Sequence, residues 1–202
     1  MKIQRITYLS LGTNLGDKNE NLQQAIEHIA EKVGDIRKIS SVYQTASWGF
    51  ESADFYNICL EVSTYHAPEI LMKILLGIET NLGRKRINST TYLDRNIDID
   101  ILLFDEEIIF SKLLTVPHPK MLLRKFVMMP LVEIAPSFFH PIERKQLSVC
   151  LQHCEDASEI IKTDSYLKRP IPIVEKYNYI AIEGNIGAGK TSLSKMMSDE
   201  FN

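Results

Sequence analysis

The chain has 202 residues, 45% of them hydrophobic and 24% charged, with a formal net charge of -3. That balance excludes a disordered chain and leaves room for one ordinary domain plus something more. The slight acidity argues against non-specific binding to nucleic acid or membrane surfaces, yet allows a local basic site for small polyphosphates.

"RITYLSLG" (Arg5 to Gly12) reads as a strand rich in β-formers, ended by a turn through Gly12, Asn14 and Gly16. Asp17 then caps a helix in which Leu22, Ala25, Ile26, Ile29 and Val33 recur at helical spacing, and Gly34 ends it. "IRKISSVYQTAS" is expected as a second strand, "WGFESAD" as a loop and "FYNICLEVST" as a third strand. "APEILMKILLGIETNLG" predicts a second helix, with Pro68 early and Gly83 after its end. A polar, basic loop, "RKRINSTTYLDRN", leads into the strand "IDIDILLFD", with "EEIIFS" expected to pair back on it as a hairpin. The order βαββαβ predicts a ferredoxin-like α+β fold, with helices over a mainly antiparallel sheet.

Prolines 117, 119, 130, 136 and 141 admit only short helices in the stretch that follows, before a closing helix at "LSVCLQHC". Residues 1–160 are expected as the main domain and 161–177 as a proline-bearing linker. Three cysteines, Cys59, Cys150 and Cys154, are an odd number that fits a reducing compartment. Cys150 and Cys154, with His153 between them, lack further zinc ligands nearby and read as small apolar residues on a helix. No signal peptide and no apolar run of membrane-spanning length is apparent, so a cytoplasmic protein is expected.

"YIAIEGNIGAGKTSL" opens a third region, 178–202. Gly184, Gly189, Lys190 and Thr191 match the spacing of a phosphate-binding loop. Glycines let backbone N–H groups close round phosphate, lysine reaches the terminal phosphates and threonine can ligate Mg²⁺. The stretch resembles the opening of the deoxynucleoside kinase family. A P-loop kinase needs a parallel sheet and a substrate pocket, on the order of 150 residues more. Only eleven follow Thr191, so the expectation is the truncated start of such a domain, covalently fused to the first.

The denser chemistry lies earlier. In "RNIDIDILLFD", strand alternation points Asp98 and Asp100 to one face and Ile97, Ile99 and Ile101 to the other. Paired acids on one face repel unless a cation sits between them, and Mg²⁺ accepts one or two carboxylates while filling its other positions with phosphate oxygens and water. Spacing alone fits a solvent-facing strand edge equally well. Arg84, Lys85, Arg86 and Arg95 before the acids, and His118 and Arg124 after them, favour a polyphosphate site.

"SLGTNLGD", "FYNICLEVST", "IETNLGR", "RNIDIDILLFD" and "LTVPHPKMLLRKFVMMPLVEIAP", in this order and spacing, resemble the 6-hydroxymethyl-7,8-dihydropterin pyrophosphokinase family over about residues 1–160. The resemblance implies a ferredoxin-like αβα fold and transfer of pyrophosphate from ATP to the pterin hydroxymethyl group, with release of AMP, in folate synthesis. It implies that Asp98 and Asp100 hold two Mg²⁺ ions, that Arg84, Arg95 and His118 contact the ATP phosphates, and that Arg124 lies on a mobile loop closing over the site. Phe55 and Phe126 would sandwich the pterin, Asn57 would bond its edge, and Thr45 with Ala46 to Trp48 would line the same pocket. Glu79 matches a position near the nucleotide.

Some features depart from the family. "YLDRN" replaces an aromatic-proline-arginine pattern before the acids, making Asp94 an extra carboxylate; "TASWG" lacks a proline after Thr45; Pro119 follows His118 where an aromatic or polar residue is usual. No strong general base stands out, so catalysis is expected to rest on positioning and electrostatics, with loops near 46–54 and 84–95 ordering on binding. The competing readings are a nucleoside kinase and an RNA-binding ferredoxin-like module. The second would require a sheet face free of acids unless metal were present.

Overall fold

The computed structural model describes residues 3–47, 52–84, 94–171, 181–185 and 187–201. They fall into two units, Met1–Pro170 and Ile171–Asn202. In the first, the elements run β1 (Arg5–Thr13), α1 (Lys18–Lys32), β2 (Gly34–Ile39), β3 (Tyr43–Thr45), β4 (Phe55–Thr64), α2 (Pro68–Asn81), β5 (Asp98–Phe104), β6 (Ile109–Phe110), β7 (Thr115–Val116), α3 (Lys125–Ile134), α4 (Leu147–Gln152) and β8 (Ile160–Lys162).

Among the described residues the main sheet has the order β5–β1–β4–β3–β8, with β2 also paired to β4 and every pairing antiparallel. The period-2 pattern of the strands decides which side chain meets which layer. Leu9, Leu11, Ile58, Leu60, Ile99 and Ile101 face Leu22 and Ile26 of α1 and Leu71 and Leu75 of α2 in one apolar core. Tyr8, Cys59 and Leu103 face the other way, onto Val127, Met128 and Leu131 of α3 and Leu147 of α4. Each such Leu or Ile contributes about 1.5–3 kcal/mol by leaving water. The result is the expected α+β sandwich.

The helix signals hold in detail. The Asp17 side chain accepts the Glu20 N–H at 3.0 Å, and α1 buries Leu22, Ala25, Ile26 and Ile29. α2 starts without a side-chain cap, on Pro68, whose missing N–H would have lacked a helical partner anyway.

The structure differs from the sequence-based expectation in five places. Gly12, expected in the turn that ends the first strand, lies within β1, paired with Asn57 on one side and Asp98 on the other. The second strand is two strands. Ile39 faces Leu60 and Tyr43 faces Asn57, which leaves one extra residue between them. At that break the Ser40 hydroxyl accepts the Cys59 N–H at 2.9 Å, replacing a ladder bond. The "EEIIFS" stretch does not pair with β5; β6 pairs with β7 in a separate two-stranded sheet. The linker expected from 161 is in part sheet: β8 pairs with β3, Leu167 is buried in the α1/α2 core, and Arg169 Nη1 donates to the Ile36 carbonyl at 3.1 Å. The first unit therefore reaches Pro170 and not 160. In the second unit, residues 181–183 of the expected strand are irregular and the rest of it lies outside the described residues. That unit's helix α5 spans Lys190–Phe201, with Leu193 and Met196 exposed. Among the described residues no helix is long and apolar enough to cross a membrane.

Gly34 joins α1 to β2 at φ 150°, and a Cβ there would sit 2.1 Å from the Ser63 carbonyl oxygen of β4. The atoms it would meet are all β4 backbone, which cannot swing away as a side chain could. Gly34→Ala is expected to lower stability by about 2–4 kcal/mol. Urea unfolding of the purified variant measures this, and an unchanged midpoint would contradict the tight β2–β4 approach.

Candidate active site

Three strands build the floor. In register, Asn57 of β4 lies opposite Gly12 of β1, and Gly12 lies opposite Asp98 of β5; one step along, Ser10 lies opposite Asp100. All five belong to the face away from α1 and α2, on the part of the strands that α3 and α4 do not fill with apolar side chains. Gly12 keeps the floor low: a Cβ there would come within 3.2 Å of Asn57 Oδ1 and 3.9 Å of the Phe55 ring. Over this floor opens a cleft enclosing about 620 Å³, solvent at its mouth included. Phe55, Phe126, Thr45, Ala46, Arg95 and Arg124 complete its walls.

One end of the cleft is aromatic and amide-bearing. Asn57 and Thr45 are buried, and Asn57 Nδ2 donates to Thr45 Oγ1 at 3.0 Å. Two phenyl groups with a buried amide and hydroxyl suit a flat ring with a polar edge.

The other end is ionic. Ile97, Ile99 and Ile101 sink into the apolar core, which leaves Asp98 and Asp100 on the cleft side. Arg84 and Arg95 each ion-pair with Asp98, one on either carboxylate oxygen. Arg84 also pairs with the buried Glu79, whose Oε1 accepts the Ile99 N–H at 2.8 Å. Burial, and then the neighbouring Asp98 charge, push the Asp100 carboxyl up to about 7. Burial disfavours the charged form, and the Arg124 and Arg84 charges offset only part of that effect.

A β-bulge brings in the histidine. The β1–β5 register slips between Tyr8 and Leu9, so Leu102 has no partner residue in β1, and both Leu102 and Leu103 turn toward α3. The Leu102 carbonyl accepts the His118 N–H at 2.9 Å, which brings His118 Nε2 to 4.0 Å from Asp100 Oδ2. Burial, reinforced by the Arg124 charge, lowers the His118 pKa to about 4. The Lys120 N–H donates to His118 Nδ1 at 3.2 Å, so the neutral ring carries its proton on Nε2, toward the acids.

The model of the 7,8-dihydro-6-hydroxymethylpterin-pyrophosphokinase (HPPK) family matches residues 8–136. The chain belongs to this family. The match takes in every cleft residue named above. The 2-amino-4-hydroxy-6-hydroxymethyldihydropteridine pyrophosphokinase of Aquifex aeolicus is 43% identical over 69% of this chain and 86% of its own length. The enzyme of that name from Porphyromonas gingivalis is 42% identical over 67% of this chain and 94% of its own. Wild-type Plasmodium falciparum HPPK-DHPS, solved with pteroate, superposes with a TM-score of 0.61 at 16% identity, covering 76% of this chain and 45% of that one. This chain thus spans less than half the length of that protein, and the likeness is one of fold.

Of the expected HPPK site residues, Thr45, Ala46, Phe55, Asn57, Arg95, Asp98, Asp100, Arg124 and Phe126 line one cleft. Arg84 and His118 border it through the two acids. Glu79 does not line it; it is buried behind Arg84. Arg124 is not in an open loop but joins the 3-10 turn Met121–Leu123 to α3, its carbonyl accepting the Val127 and Met128 N–H groups at 3.0 Å. Trp48, Lys85 and Arg86 lie outside the described residues. Gly184, Gly189, Lys190 and Thr191 belong to the second unit. Ser10, Gly12 and Val127 line the cleft without having been singled out from sequence. The alternation of Ser10 and Gly12 with Leu9 and Leu11 was visible there, but their register against β5 was not.

The raised Asp100 pKa has a signed consequence. Between its ordinary 3.8 and about 7 the unfolded chain loses a proton that the folded chain keeps, so this group makes stability fall as pH rises across that window. Asp100→Asn is expected to be more stable than the parent at pH 8 without divalent ions, with the gain gone below pH 4. Urea midpoints at both pH values check it; a lower midpoint for the variant at pH 8 would contradict the raised proton affinity of Asp100.

Proposed function

We propose that the first unit transfers pyrophosphate from ATP to 6-hydroxymethyl-7,8-dihydropterin, giving the pterin diphosphate and AMP in folate biosynthesis. The observation that carries this is the Asn57–Gly12–Asp98 row, which sets a ring-binding end and an ionic end side by side in one cleft. The pterin ring would lie between Phe55 and Phe126, its edge read by Asn57, Thr45 and backbone groups from Ala46 toward Trp48. That pose directs the hydroxymethyl group toward Asp98 and Asp100.

The donor chemistry fits Mg²⁺: two carboxylates on one strand face, oxygen ligands only, with phosphate and water left to complete an octahedron. Asp98 and Asp100 would hold the metal, two ions in this reading. When bound, Mg²⁺ supplies charge neutralisation for the phosphates and orients them. Arg84 and Arg95 pair with Asp98 and can turn their guanidinium groups to the phosphates when Asp98 is otherwise engaged. His118, neutral with its proton on Nε2, donates to a phosphate oxygen and cannot serve as a base. Arg124, above the Phe126 ring at 5.7 Å, adds charge at the cleft wall. Glu79 acts indirectly, holding Arg84. Catalysis is then alignment plus electrostatic stabilisation, with no residue required as a strong base.

A second reading applies to the second unit, as a P-loop segment of the nucleoside kinase kind. It is supported by helix α5 starting at Lys190, by the Lys190 ammonium laid on the Gly184 and Asn185 carbonyls at 2.6 and 2.7 Å, and by positive φ at Gly184, Gly187 and Gly189. A binding-only RNA module is disfavoured by the two acids on the sheet face. The whole reading places the protein in the cytoplasm.

Incubation with ATP, Mg²⁺ and the hydroxymethyl pterin is expected to release AMP. Asp98→Asn should lower kcat by about 10²–10³-fold. ADP formed from a deoxynucleoside would favour the kinase reading instead, and full turnover by Asp98→Asn would remove the metal assignment. For the second unit, equilibrium dialysis should show a second ATP equivalent that Lys190→Ala loses; a single equivalent in both chains would count against a working loop.

A further inference from the structure

Asn14, in the turn after β1, is 3% exposed and every polar atom of its side chain is engaged. Its Nδ2 donates to Ser52 Oγ at 3.0 Å and to Asp94 Oδ1 at 2.7 Å. Its Oδ1 accepts the Arg95 N–H at 2.9 Å, and its own N–H donates to the Arg95 carbonyl at 3.3 Å. The Ser52 hydroxyl closes the ring by donating to Asp94 Oδ1. Ser52 N–H also donates to Ser47 Oγ at 3.1 Å. Three separate stretches meet here: the turn after β1, the segment before β4 and the segment before β5.

Arg95 is the residue these bonds hold. Both of its backbone polar groups are tied to Asn14, while its side chain runs into the cleft, pairs with Asp98 and lies 5.9 Å from the centre of the Phe55 ring. Asp94 is exposed and buries no apolar surface to speak of, so the fold has little need of it. The Ser52 and Asn14 hydrogen bonds keep its carboxyl below the usual range, ionised and available as an acceptor.

We propose that Asp94, acting through Ser52 and Asn14, is a positioning residue that clamps the Arg95 backbone between the ring-binding and ionic ends of the cleft. The clamp fixes the pivot of a long side chain whose guanidinium has to turn from Asp98 to a phosphate. A small shift at the pivot is magnified at the guanidinium, and misplacement by about 1 Å is enough for a large loss in rate. Because Ser52 also abuts the segment that leads to Phe55, the same clamp ties the acceptor pocket to the arginine. The inference rests on the pyrophosphokinase reading for its kinetic consequence but not for the bonds themselves.

The test uses Asp94→Ala, Ser52→Ala, the double variant and Asp94→Asn in the full chain. Amide exchange at Arg95 is followed without ligands, and kcat and KM for ATP are followed through AMP release. Each single alanine variant should speed Arg95 exchange and lower kcat by about tenfold, with the melting temperature nearly unchanged. The double variant should be no worse than the poorer single, since both break one clamp. Asp94→Asn, whose amide oxygen can still accept both bonds, should recover most of the rate. Unchanged Arg95 exchange in Asp94→Ala would overturn the clamp whatever the activity. So would losses that multiply in the double variant, or wild-type kcat despite faster exchange. If the parent chain released no AMP while Asp94→Ala still sped Arg95 exchange, the clamp would be supported and the proposed reaction would be the part that fails.

Discussion

Asp98 and Asp100 stand side by side because a strand alternates its side chains, and the isoleucines that alternate with them, Ile97, Ile99 and Ile101, are anchored in the apolar core. Two carboxylates so placed, in a partly desolvated cleft, repel each other and draw cations or protons. Most of the surrounding structure answers that demand. Arg84 and Arg95 take both oxygens of Asp98, Glu79 holds Arg84 from behind, and Asp100 retains affinity for a proton. The site is poised for positive charge, which Mg²⁺ with a polyphosphate would satisfy while freeing the two guanidinium groups.

The sheet separates stability from chemistry by face. The α1/α2 side is mainly apolar and closed, with Glu79 the buried charge at the end of α2 nearest the acids. The α3/α4 side is apolar only toward one end of its strands and carries Ser10, Gly12, Asn57, Asp98 and Asp100 toward the other. Irregularities of the sheet occur where this second side needs them. The bulge at Leu102 turns an extra leucine onto α3 and offers the carbonyl that brings His118 to the acids. The break at Ser40 lets β3 realign so that Thr45 reaches Asn57. Added at the sheet edge, β8 supports β3 and so the wall that bears Thr45.

The departures from the family pattern gain meaning from this geometry. Asp94, an extra acid in the sequence, accepts bonds from Ser52 and Asn14 beside the arginine that reaches Asp98. An ionised side chain at that position can hold two neighbouring segments through directed hydrogen bonds, where a ring such as proline would offer only fixed backbone angles.

Periodicity and composition were enough to place α1, α2, β1, β4 and β5 and the shared face of the two acids, because those follow from local alternation and from burial of regularly spaced apolar side chains. Motif order carried the family and most of the cleft residues. What the sequence could not contain was pairing between distant segments. The short β8 was hidden in polar, proline-bearing chain and becomes a strand only by borrowing the edge of β3. The hairpin partner of β6, the bulge at Leu102, the burial of Glu79 behind Arg84 and the meeting of Asn14, Ser52 and Asp94 all depend on register across the sheet. Register is set by which faces are buried together once the layers close, and no local stretch of residues encodes that by itself.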